Sequence, residues 1–362
     1  MKVLHAITSL SMGGAEKLIA ESISIYQRKG IDTDVLVLKK GEKNHLQNFR
    51  TNGNTFFLSE GSVYNPFLII KIIPFLKKYD IIHIHLFPTL YWFVIAKVLS
   101  FSKTKLIFTE HSTSNKRRNF HIFKFIDKII YSFLDYIVCI SSATKENLVK
   151  HLNYTKNNIS IIYNGINLER FSKINNLNNY PFLEKDSLIL IQVSAFRKEK
   201  DQETVIKSMT KLPDKVKLLL VGDGPLRAHN EKLSEKLGLE HRIKFLGIRN
   251  DIPELYSHSD ICILSSHYEG FGLAIVEGMA SKKPSIASDV DGIKEIVEGY
   301  GLLFKKGDPN ELSERILYLL DNKTIYDEIA KKCYLRAQNF DINNMVDKYI
   351  KIYNNLILSK CP

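Results

Sequence analysis

Residues 261–280 read ICILSSHYEGFGLAIVEGMA, and this stretch shows most directly how the chain folds. The apolar run Ile261–Leu264 predicts a buried strand, a turn with glycines at positions 270 and 272 follows, and helical spacing begins near Gly272. The first amides of a helix have no partner within it, and the helix dipole is positive at that end. Because glycines also let the backbone approach an anion closely, this turn predicts a diphosphate site.

Short apolar runs and helical stretches alternate along both halves of the chain. Strand candidates in the first half are Val3–Thr8, Thr33–Leu38, Asp80–His85, Lys105–Thr109, Tyr136–Ile140 and Ile159–Tyr163. Those in the second half are Leu188–Val193, Val216–Val221, Arg242–Phe245, Ile261–Leu264, Pro284–Ala287 and Leu302–Phe304. Such alternation predicts βαβ units and parallel sheets. The expected fold is α/β, with two facing Rossmann-like domains and an interdomain cleft that binds ligands at the carboxyl ends of the strands.

A change of composition near the middle of the chain sets the expected domain boundaries. Residues 172–186 are polar, rich in asparagine and without a periodic face, which indicates a linker. The first domain then covers residues 1–171 and the second residues 187–340. Residues 341–362 continue a helical apolar pattern, and this helix either completes the second domain or crosses back to the first.

Composition restricts the class of protein. The chain has 362 residues, 44% of them hydrophobic and 25% charged, which suits two folded domains. Its net charge of +12 favours anionic partners, namely nucleic acid, an acidic membrane face or phosphorylated small molecules. The four cysteines form no CxxC pair, which argues against a disulfide framework or a zinc site. No apolar run has the ~18 residues of a spanning helix, and the N-terminal run indicates a buried strand rather than a signal peptide. A cytoplasmic location is therefore expected.

Two glutamates flank the start of the helix that follows the glycine turn. Glu277 lies inside that helix and would repel a phosphate that it faced directly, so it is expected to accept hydrogen bonds from ribose hydroxyls. Glu269 lies in the turn, where it can hold hydroxyls of a donor sugar. The alternative is that both are solvated surface residues.

This pair, two glutamates with seven residues between them, resembles the signature of glycosyltransferase family 4, whose members are retaining enzymes of the GT-B fold. The similarity continues through VGDGPL at 221–226, FLG at 245–247, KPSIAS at 283–288 and GIKEIV at 292–297. Several motifs in family order over most of the chain make the resemblance specific.

The resemblance implies roles for individual residues. Amides around Phe271–Leu273 would hold the donor diphosphate, Glu277 the ribose and Glu269 the donor sugar. Ile248 and Arg249 would line the base pocket, and two glycines after a strand would shape the cleft wall. The implied donor-binding set is Gly13, Gly14, Gly222, Gly224, Ile248, Arg249, Phe271, Gly272, Leu273 and Glu277.

Fixed cations are expected near the donor, because a departing nucleoside diphosphate gains charge in the transition state. The family pattern has Gly-Arg where this chain has Ser194-Ala195, followed five residues later by a lysine that Lys200 matches. The family arginine is therefore missing. Either Arg197, two positions late, replaces it, or Lys200 acts alone.

The first half supplies the expected acceptor side. Gly13 and Gly14 follow the first strand and open a helix, so their amides can meet the donor phosphate or the acceptor. His111 follows another strand, and the resemblance implies a place near the anomeric centre, where it orients the acceptor or stabilises the transition state. In such retaining enzymes the leaving phosphate is thought to take the acceptor proton. The catalytic candidates are His111, Lys200, Glu269 and Arg197.

His83 and His85 alternate on one strand and therefore project to the same face. Metal binding needs a third ligand, which the sequence does not reveal. One of the two histidines is instead interpreted as lining the acceptor pocket. No metal dependence and no cofactor are expected.

Residues 115–126, NKRRNFHIFKFI, join a basic cluster to an aromatic, amphipathic stretch. Either this surface lies on an anionic bilayer, with Lys116, Arg117 and Arg118 as cations, or it is a core helix preceded by a solvated loop. We predict weak, peripheral association with the inner face of the membrane and a lipid-linked acceptor.

The predicted function is transfer of a sugar from a nucleotide sugar to a glycan or lipid-linked acceptor in cell-surface polysaccharide assembly. A UDP donor follows from the resemblance, and GDP stays open. One alternative is a nucleotide-sugar epimerase of the same architecture, which needs no second substrate. A nucleic-acid-binding protein is prompted by the charge alone, but the lysines are dispersed and no binding module is recognisable.

Overall fold

A computed structural model describes residues 1–10, 13–41, 53–113, 118, 120–154, 156–172 and 187–358. The chain forms two compact units, one made of Met1–Gly165 with Ile342–Pro362 and the other of Ile166–Asp341. The predicted domain boundaries are at residues 171 and 340, and the two units change after residues 165 and 341. Residues 173–186, which make up nearly all of the predicted linker, lie outside the described residues.

The first unit is built on a parallel sheet. Its strands are β1 (Lys2–Ile7), β2 (Asp32–Lys39), β3 (Thr55–Ser59), β4 (Ile81–His85), β5 (Lys105–Glu110), β6 (Tyr136–Cys139) and β7 (Ile159–Ile161). Its helices in this part of the chain are α1 (Gly14–Arg28), α2 (Leu68–Lys78), α3 (Thr89–Leu99), α4 (His121–Ser132) and α5 (Ser142–Leu152). The strand order is β3-β2-β1-β4-β5-β6-β7, so the direction of winding reverses between β1 and β4.

The second unit repeats this plan. Its strands are β8 (Leu188–Val193), β9 (Val216–Val221), β10 (Ile243–Gly247), β11 (Ile261–Leu264), β12 (Ser285–Ser288) and β13 (Leu302–Phe304). Its helices are α6 (Glu169–Ser172), α7 (Gln202–Ser208), α8 (Arg227–Lys236), α9 (Ile252–Ser257), α10 (Leu273–Ala280), α11 (Lys294–Val297), α12 (Pro309–Leu320) and α13 (Lys323–Ala337). The strand order is β10-β9-β8-β11-β12-β13, with every pair parallel.

The last helix, α14 (Ile342–Leu358), belongs to the first unit. Its buried residues Met345, Tyr349 and Tyr353 pack in one cluster with Val3, Ile81 and other apolar side chains of the sheet. This apolar stripe repeats at helical spacing, so the helix covers one face of the sheet that α1 also covers.

Each predicted strand is present, within two residues of its predicted ends. The strand β3 was not predicted. It is short, lies at the edge of the sheet and is only partly buried, so the sequence has no strong apolar alternation there. In the part of the chain that the structure describes, no helix combines the length and apolar character needed to cross a bilayer.

Candidate active site

The site residues predicted in the second unit follow strands at one edge of its sheet. Lys200 follows β8, Gly222 follows β9, Ile248 follows β10 and Glu269 follows β11. Because these strands are parallel, their carboxyl ends meet at the same edge. The winding direction reverses between β8 and β11, and open α/β sheets bind ligands at such a reversal.

The glycine turn after β11 leads into a helix N-terminus of the expected kind. Gly272 is the N-cap of α10 and has no side chain to cap the helix. The amides of Ile275 and Val276 bond to the Gly272 carbonyl at 3.1 and 3.3 Å, so the amides of Leu273 and Ala274 precede the first helical hydrogen bond. The Phe271 ring is buried edge-on against Phe340, with ring centroids 5.2 Å apart, and anchors the turn. The geometry therefore presents amides and the positive end of a dipole.

Lys200 and Glu269 form an ion pair across the reversal point. Their side chains are 22% and 17% exposed, so the pair is only partly screened by water. The Lys200 carbonyl accepts hydrogen bonds from Gln192 Nε2 and Ser265 Oγ, both at 3.0 Å, which ties the loop after β8 to its own strand and to the end of β11. Arg197 is exposed, whereas Lys200 pairs with Glu269. The structure thus joins Lys200 and Glu269, two catalytic candidates that come from different loops.

Glu277 is 3% exposed, so the alternative of a solvated surface glutamate is wrong for this residue. It lies on α10, whose residues from Ile275 to Ala280 are all buried. Burial, together with the negative charge of Glu277, raises the pKa of the neighbouring Tyr256 phenol. A carboxylate kept at this depth needs polar partners and is an unusual choice for a purely apolar helix face.

Two glycines permit close contacts between the loops at this edge. A Cβ on Gly222 would lie 2.1 Å from the Ser194 carbonyl oxygen, and the residue has φ +133°. A Cβ on Gly292, which has φ +85°, would lie 2.3 Å from the Glu269 carbonyl oxygen. Side chains cannot occupy such space, so both glycines are required by packing. Gly292 was quoted only as part of the family pattern, and the structure adds its contact with the glycine turn.

The remaining predicted residues of this unit are Gly224, Ile248 and Arg249. Gly224 approaches the Phe196 carbonyl oxygen, which a Cβ would meet at 2.6 Å. Ile248 is 40% exposed. Arg249 Nε donates to Asp251 Oδ1 at 2.8 Å, so its guanidinium is held near the end of β10.

In the first unit, Gly13 and Gly14 begin α1 as expected. Gly13 is the N-cap, and a Cβ there would lie 2.2 Å from Glu16 Oε2. The buried Glu16 carboxylate therefore lies against this turn. An anion at the same amides would have to share the space with that negative charge.

The histidines of this unit form a cluster that the sequence did not reveal. His5 on β1 lies opposite His83 on β4 and adds a third imidazole beside His83 and His85. Candidate ligand nitrogens of His5, His83 and His85 lie within 4.8 Å of one another. Hydrogen bonds already occupy most of them: His83 contacts Tyr353 Oη at 2.6 Å and Thr109 Oγ1 at 2.7 Å. Both His83 and His85 are buried. The interpretation that one of them lines the acceptor pocket stays a prediction.

His111 is joined to this cluster through His85. His85 Nδ1 lies 3.0 Å from His111 Nε2, and His85 Nε2 lies 3.2 Å from His5 Nδ1. Burial lowers the pKa of His5 to about 3 and that of His111 to about 4. Burial and the neighbouring imidazoles lower the pKa of His85 well below its usual value. All three rings are therefore neutral at pH 7.

The basic cluster predicted as a membrane contact needs one correction. The Arg118 side chain is 9% exposed and forms an ion pair with Glu110, which also accepts a hydrogen bond from Tyr131 Oη at 3.0 Å. Arg118 is thus part of the interior and not a surface cation. Lys116 and Arg117 lie outside the described residues.

Comparison with known proteins agrees with this architecture. The family profile described as Glycosyltransferase Family 4 matches residues 12–170, and that described as Glycosyl transferases group 1 matches residues 175–339. An uncharacterized glycosyltransferase of Methanocaldococcus jannaschii is 30% identical over 373 residues, which cover 98% of this chain and 99% of the relative. The UDP-Gal:alpha-D-GlcNAc-diphosphoundecaprenol alpha-1,3-galactosyltransferase of Escherichia coli is 25% identical over 386 residues, covering 99% and 98% of the two chains.

A solved structure is similar over nearly the whole chain. The crystal structure of Anabaena Alr3699/HepE in complex with UDP and glucose has a TM-score of 0.84 at 23% identity, covering 98% of this chain and all of the other. At this identity the likeness concerns the fold. With the two family profiles and the archaeal relative, it shows that the chain belongs to the group 1 glycosyltransferases of family 4 and has the GT-B fold.

Proposed function

We propose that this enzyme transfers a sugar from a UDP-linked donor to a glycan or lipid-linked acceptor in cell-surface polysaccharide assembly, with retention of anomeric configuration. The name of the Escherichia coli relative gives UDP-Gal as donor and a diphosphoundecaprenol-linked sugar as acceptor. The similar Anabaena protein was crystallised with UDP and glucose. Both support a nucleotide-sugar donor for this chain.

The observation that carries the proposal is the ion pair of Lys200 and Glu269 beside the N-terminus of α10. Glu269 Cγ lies 3.7 Å from the place that a Cβ on Gly272 would occupy, so a cation, a carboxylate and helix amides come together. A diphosphate needs the cation and the amides, and sugar hydroxyls need the carboxylate. The diphosphate and the sugar of a nucleotide sugar therefore each have a group of the right chemistry.

The proposed roles follow from these positions. Main-chain amides at Phe271–Leu273 bind the diphosphate, Glu269 binds sugar hydroxyls and Glu277 binds the ribose. Lys200 neutralises the charge that develops on the leaving diphosphate, which is the main electrostatic demand of the reaction. Arg197 is an exposed neighbour that can add a second positive charge, and Ile248 with Arg249 forms one side of the base pocket.

On the acceptor side we assign His111 to a substrate-positioning role. Its neutral state at pH 7 removes it as a source of positive charge. In a retaining reaction of this type the leaving phosphate oxygen accepts the proton of the acceptor hydroxyl, while the acceptor oxygen bonds to the anomeric carbon on the face that the phosphate leaves. The enzyme then needs a cation for the phosphate and a fixed acceptor, but no separate general base.

Calorimetric titration with UDP, GDP and ADP, with and without magnesium, tests the donor site. We expect UDP to bind without magnesium, and Glu277→Ala to lose that binding because the ribose contact is removed. The matched control is Glu314→Ala, which changes an exposed glutamate of α12 in the same unit. Equal UDP affinity in the wild type and Glu277→Ala would contradict the donor assignment.

Product analysis separates transfer from epimerisation. Incubation of UDP-sugars with a lipid-diphosphate-linked sugar should give a new glycosidic linkage whose anomeric configuration, read from the proton NMR coupling of H1, equals that of the donor. An inverted linkage would refute retention. Formation of an epimeric UDP-sugar in the absence of acceptor would support the alternative enzyme.

The surface of α4 supports peripheral binding to an anionic bilayer. Ile122, Phe125, Ile129 and Phe133 are 64%, 66%, 44% and 43% exposed and recur at helical spacing, so they form one apolar stripe. Lys124 and Lys128 are exposed on the same helix, and the chain carries a net charge of +12. Apolar area combined with basic residues is the pattern of an interfacial helix. We propose that α4 places the enzyme at the inner face of the membrane, near a lipid-linked acceptor.

Vesicle flotation tests this surface. Ile122→Ser with Phe125→Ser should reduce binding to vesicles of phosphatidylglycerol, and Lys124→Ala with Lys128→Ala should reduce it most at low salt, since each basic residue near the surface contributes about 1 kcal/mol. Leu335→Ser, at an exposed leucine of α13, is the control for loss of apolar surface elsewhere. Unchanged flotation of both double variants would refute the assignment of α4.

A further inference from the structure

The imidazoles of His5, His85 and His111 form a continuous hydrogen-bonded chain. The Cα of His5 pairs with that of His83 across β1 and β4, His85 ends β4, and His111 follows the end of β5. The chain consists of two hydrogen bonds, His5 Nδ1 to His85 Nε2 at 3.2 Å and His85 Nδ1 to His111 Nε2 at 3.0 Å. The His5 and His85 rings are nearly parallel, with an interplanar angle of 13°.

Neutral imidazoles allow only two proton arrangements in such a chain, because each ring has one donor and one acceptor. In the first, every Nδ1 carries the proton, and donation runs from His5 through His85 to His111. In the second, every Nε2 carries it, and donation runs the other way. The two arrangements place opposite functions at Nδ1 of His111: a donor in the first and a lone pair in the second.

The inner end of the chain distinguishes the two arrangements. His5 Nε2 is buried and has no hydrogen-bond partner among the described residues. The second arrangement would put a proton on this atom and leave a buried donor unpaired. Buried unpaired N–H groups are rarer in proteins than acceptors with unused capacity, so the first arrangement is favoured.

We propose that His85, backed by His5, is a positioning residue that holds His111 in the neutral Nδ1–H tautomer, so that His111 donates a hydrogen bond to a substrate oxygen. This inference rests on the proposed acceptor-side role of His111. His111 is only partly buried, unlike His5 and His85, and its Nε2 is taken by His85. Nδ1 is therefore the ring nitrogen left to meet substrate. A donor at this point agrees with a reaction in which the leaving phosphate takes the acceptor proton.

Long-range proton–nitrogen NMR of the full chain with ¹⁵N-labelled histidine tests the proposal without any substrate. His111→Asn identifies the His111 signals. At pH 7.5 we expect wild-type His111 to show a protonated Nδ1 and an unprotonated Nε2. A protonated Nε2, or nitrogen shifts averaged between the two tautomers, would overturn the proposal in the wild-type protein alone.

Two substitutions at His85 separate positioning from folding. In His85→Leu the His111 nitrogen shifts should become averaged between tautomers. In His85→Asn they should return to the wild-type pattern, because the asparagine amide nitrogen stands close to the place of the imidazole Nδ1 and can donate to His111. Unchanged His111 shifts in His85→Leu would refute the role of His85. If His85→Leu does not fold, the wild-type measurement still tests the proposal, because a protonated Nε2 on His111 would overturn it.

Activity gives a second readout once the sugar donor is known. His85→Leu should lower kcat about 10- to 100-fold, the range expected when a reacting group is misplaced, with KM for the donor unchanged. Nucleotide binding by the second unit is measured separately. Absence of UDP binding by the wild-type protein would therefore contradict the proposed function. A protonated Nε2 on His111 would contradict this inference alone.

Discussion

Acid should destabilise the first unit through its buried histidines, and His5 provides the sharpest case. Burial lowers the pKa of His5 to about 3 in the folded protein, whereas an imidazole in the unfolded chain has a pKa near 6.5. Below pH 6.5 the unfolded chain binds a proton that the folded protein does not, so stability is full above pH 6.5 and is lost as pH falls toward 3. At pH 4.5 the difference for this one residue is ~2.7 kcal/mol, from two pH units at ~1.36 kcal/mol each.

His5→Phe removes this titration and keeps an aromatic ring of similar shape at the site. Between pH 7.5 and 4.5 the variant should therefore lose ~2.7 kcal/mol less unfolding free energy than the wild type. His5 also helps to lower the pKa of His83 and His85, so its removal acts on them in the same direction. At pH 7.5 itself the variant is expected to be less stable, because His85 loses its hydrogen bond to His5.

Urea denaturation followed by tryptophan fluorescence measures the effect in the right unit. Trp92 is the single tryptophan of the chain, lies on α3 and donates to the Val63 carbonyl at 2.7 Å, so its emission reports on the first unit. The control is His241→Gln, which removes an exposed imidazole of the second unit that folding does not bury. Equal pH dependence in His5→Phe and the wild type would refute the reasoning that a buried neutral His5 opposes acid.

Three further predictions concern the second unit. Lys200→Met should lower kcat about 10²- to 10³-fold by removing the cation at the leaving diphosphate, and steady-state release of nucleotide checks this; a rate near wild type would exclude the role. Gly292→Ala should lower the free energy of unfolding by roughly 1–3 kcal/mol and weaken UDP binding, because its Cβ would lie 2.3 Å from the Glu269 carbonyl oxygen. Calorimetric titration with UDP is the test, and wild-type affinity in the variant would contradict the prediction. Asp308→Ala removes the N-cap of α12, whose side chain accepts from the amides of Asn310 and Glu311, and should cost ~1 kcal/mol in urea denaturation with unchanged UDP affinity.

The sequence by itself determined the fold class, and it predicted the residues of the proposed donor site. Parallel strands between helices are buried on both faces, so their apolar runs and turns are local signals that need no partner strand to be recognised. The glycine turn and the helix after β11 are local in the same way, and α10 begins at Leu273 as that pattern predicts. Glu269 and Glu277 were found from their places in this turn and helix and from the resemblance of the pair to a family signature, which is also a local pattern.

Tertiary structure decided what depends on strand order and on contacts between distant residues. His5 precedes His83 by most of two βαβ units, and only the pairing of β1 with β4 makes them neighbours. The pairing of Lys200 with Glu269 likewise requires β8 and β11 to be adjacent at the reversal of the sheet.

The sequence could not show that Arg118 turns inward to Glu110, because a basic residue beside an amphipathic helix has the same pattern whether it is solvated or paired. The sequence also left open which unit the last helix joins. Met345 and Tyr349 of α14 pack against residues of β1 and β4, so the helix belongs to the first unit. Local periodicity specifies elements, whereas the partners of a buried polar group are specified only when the sheet is assembled.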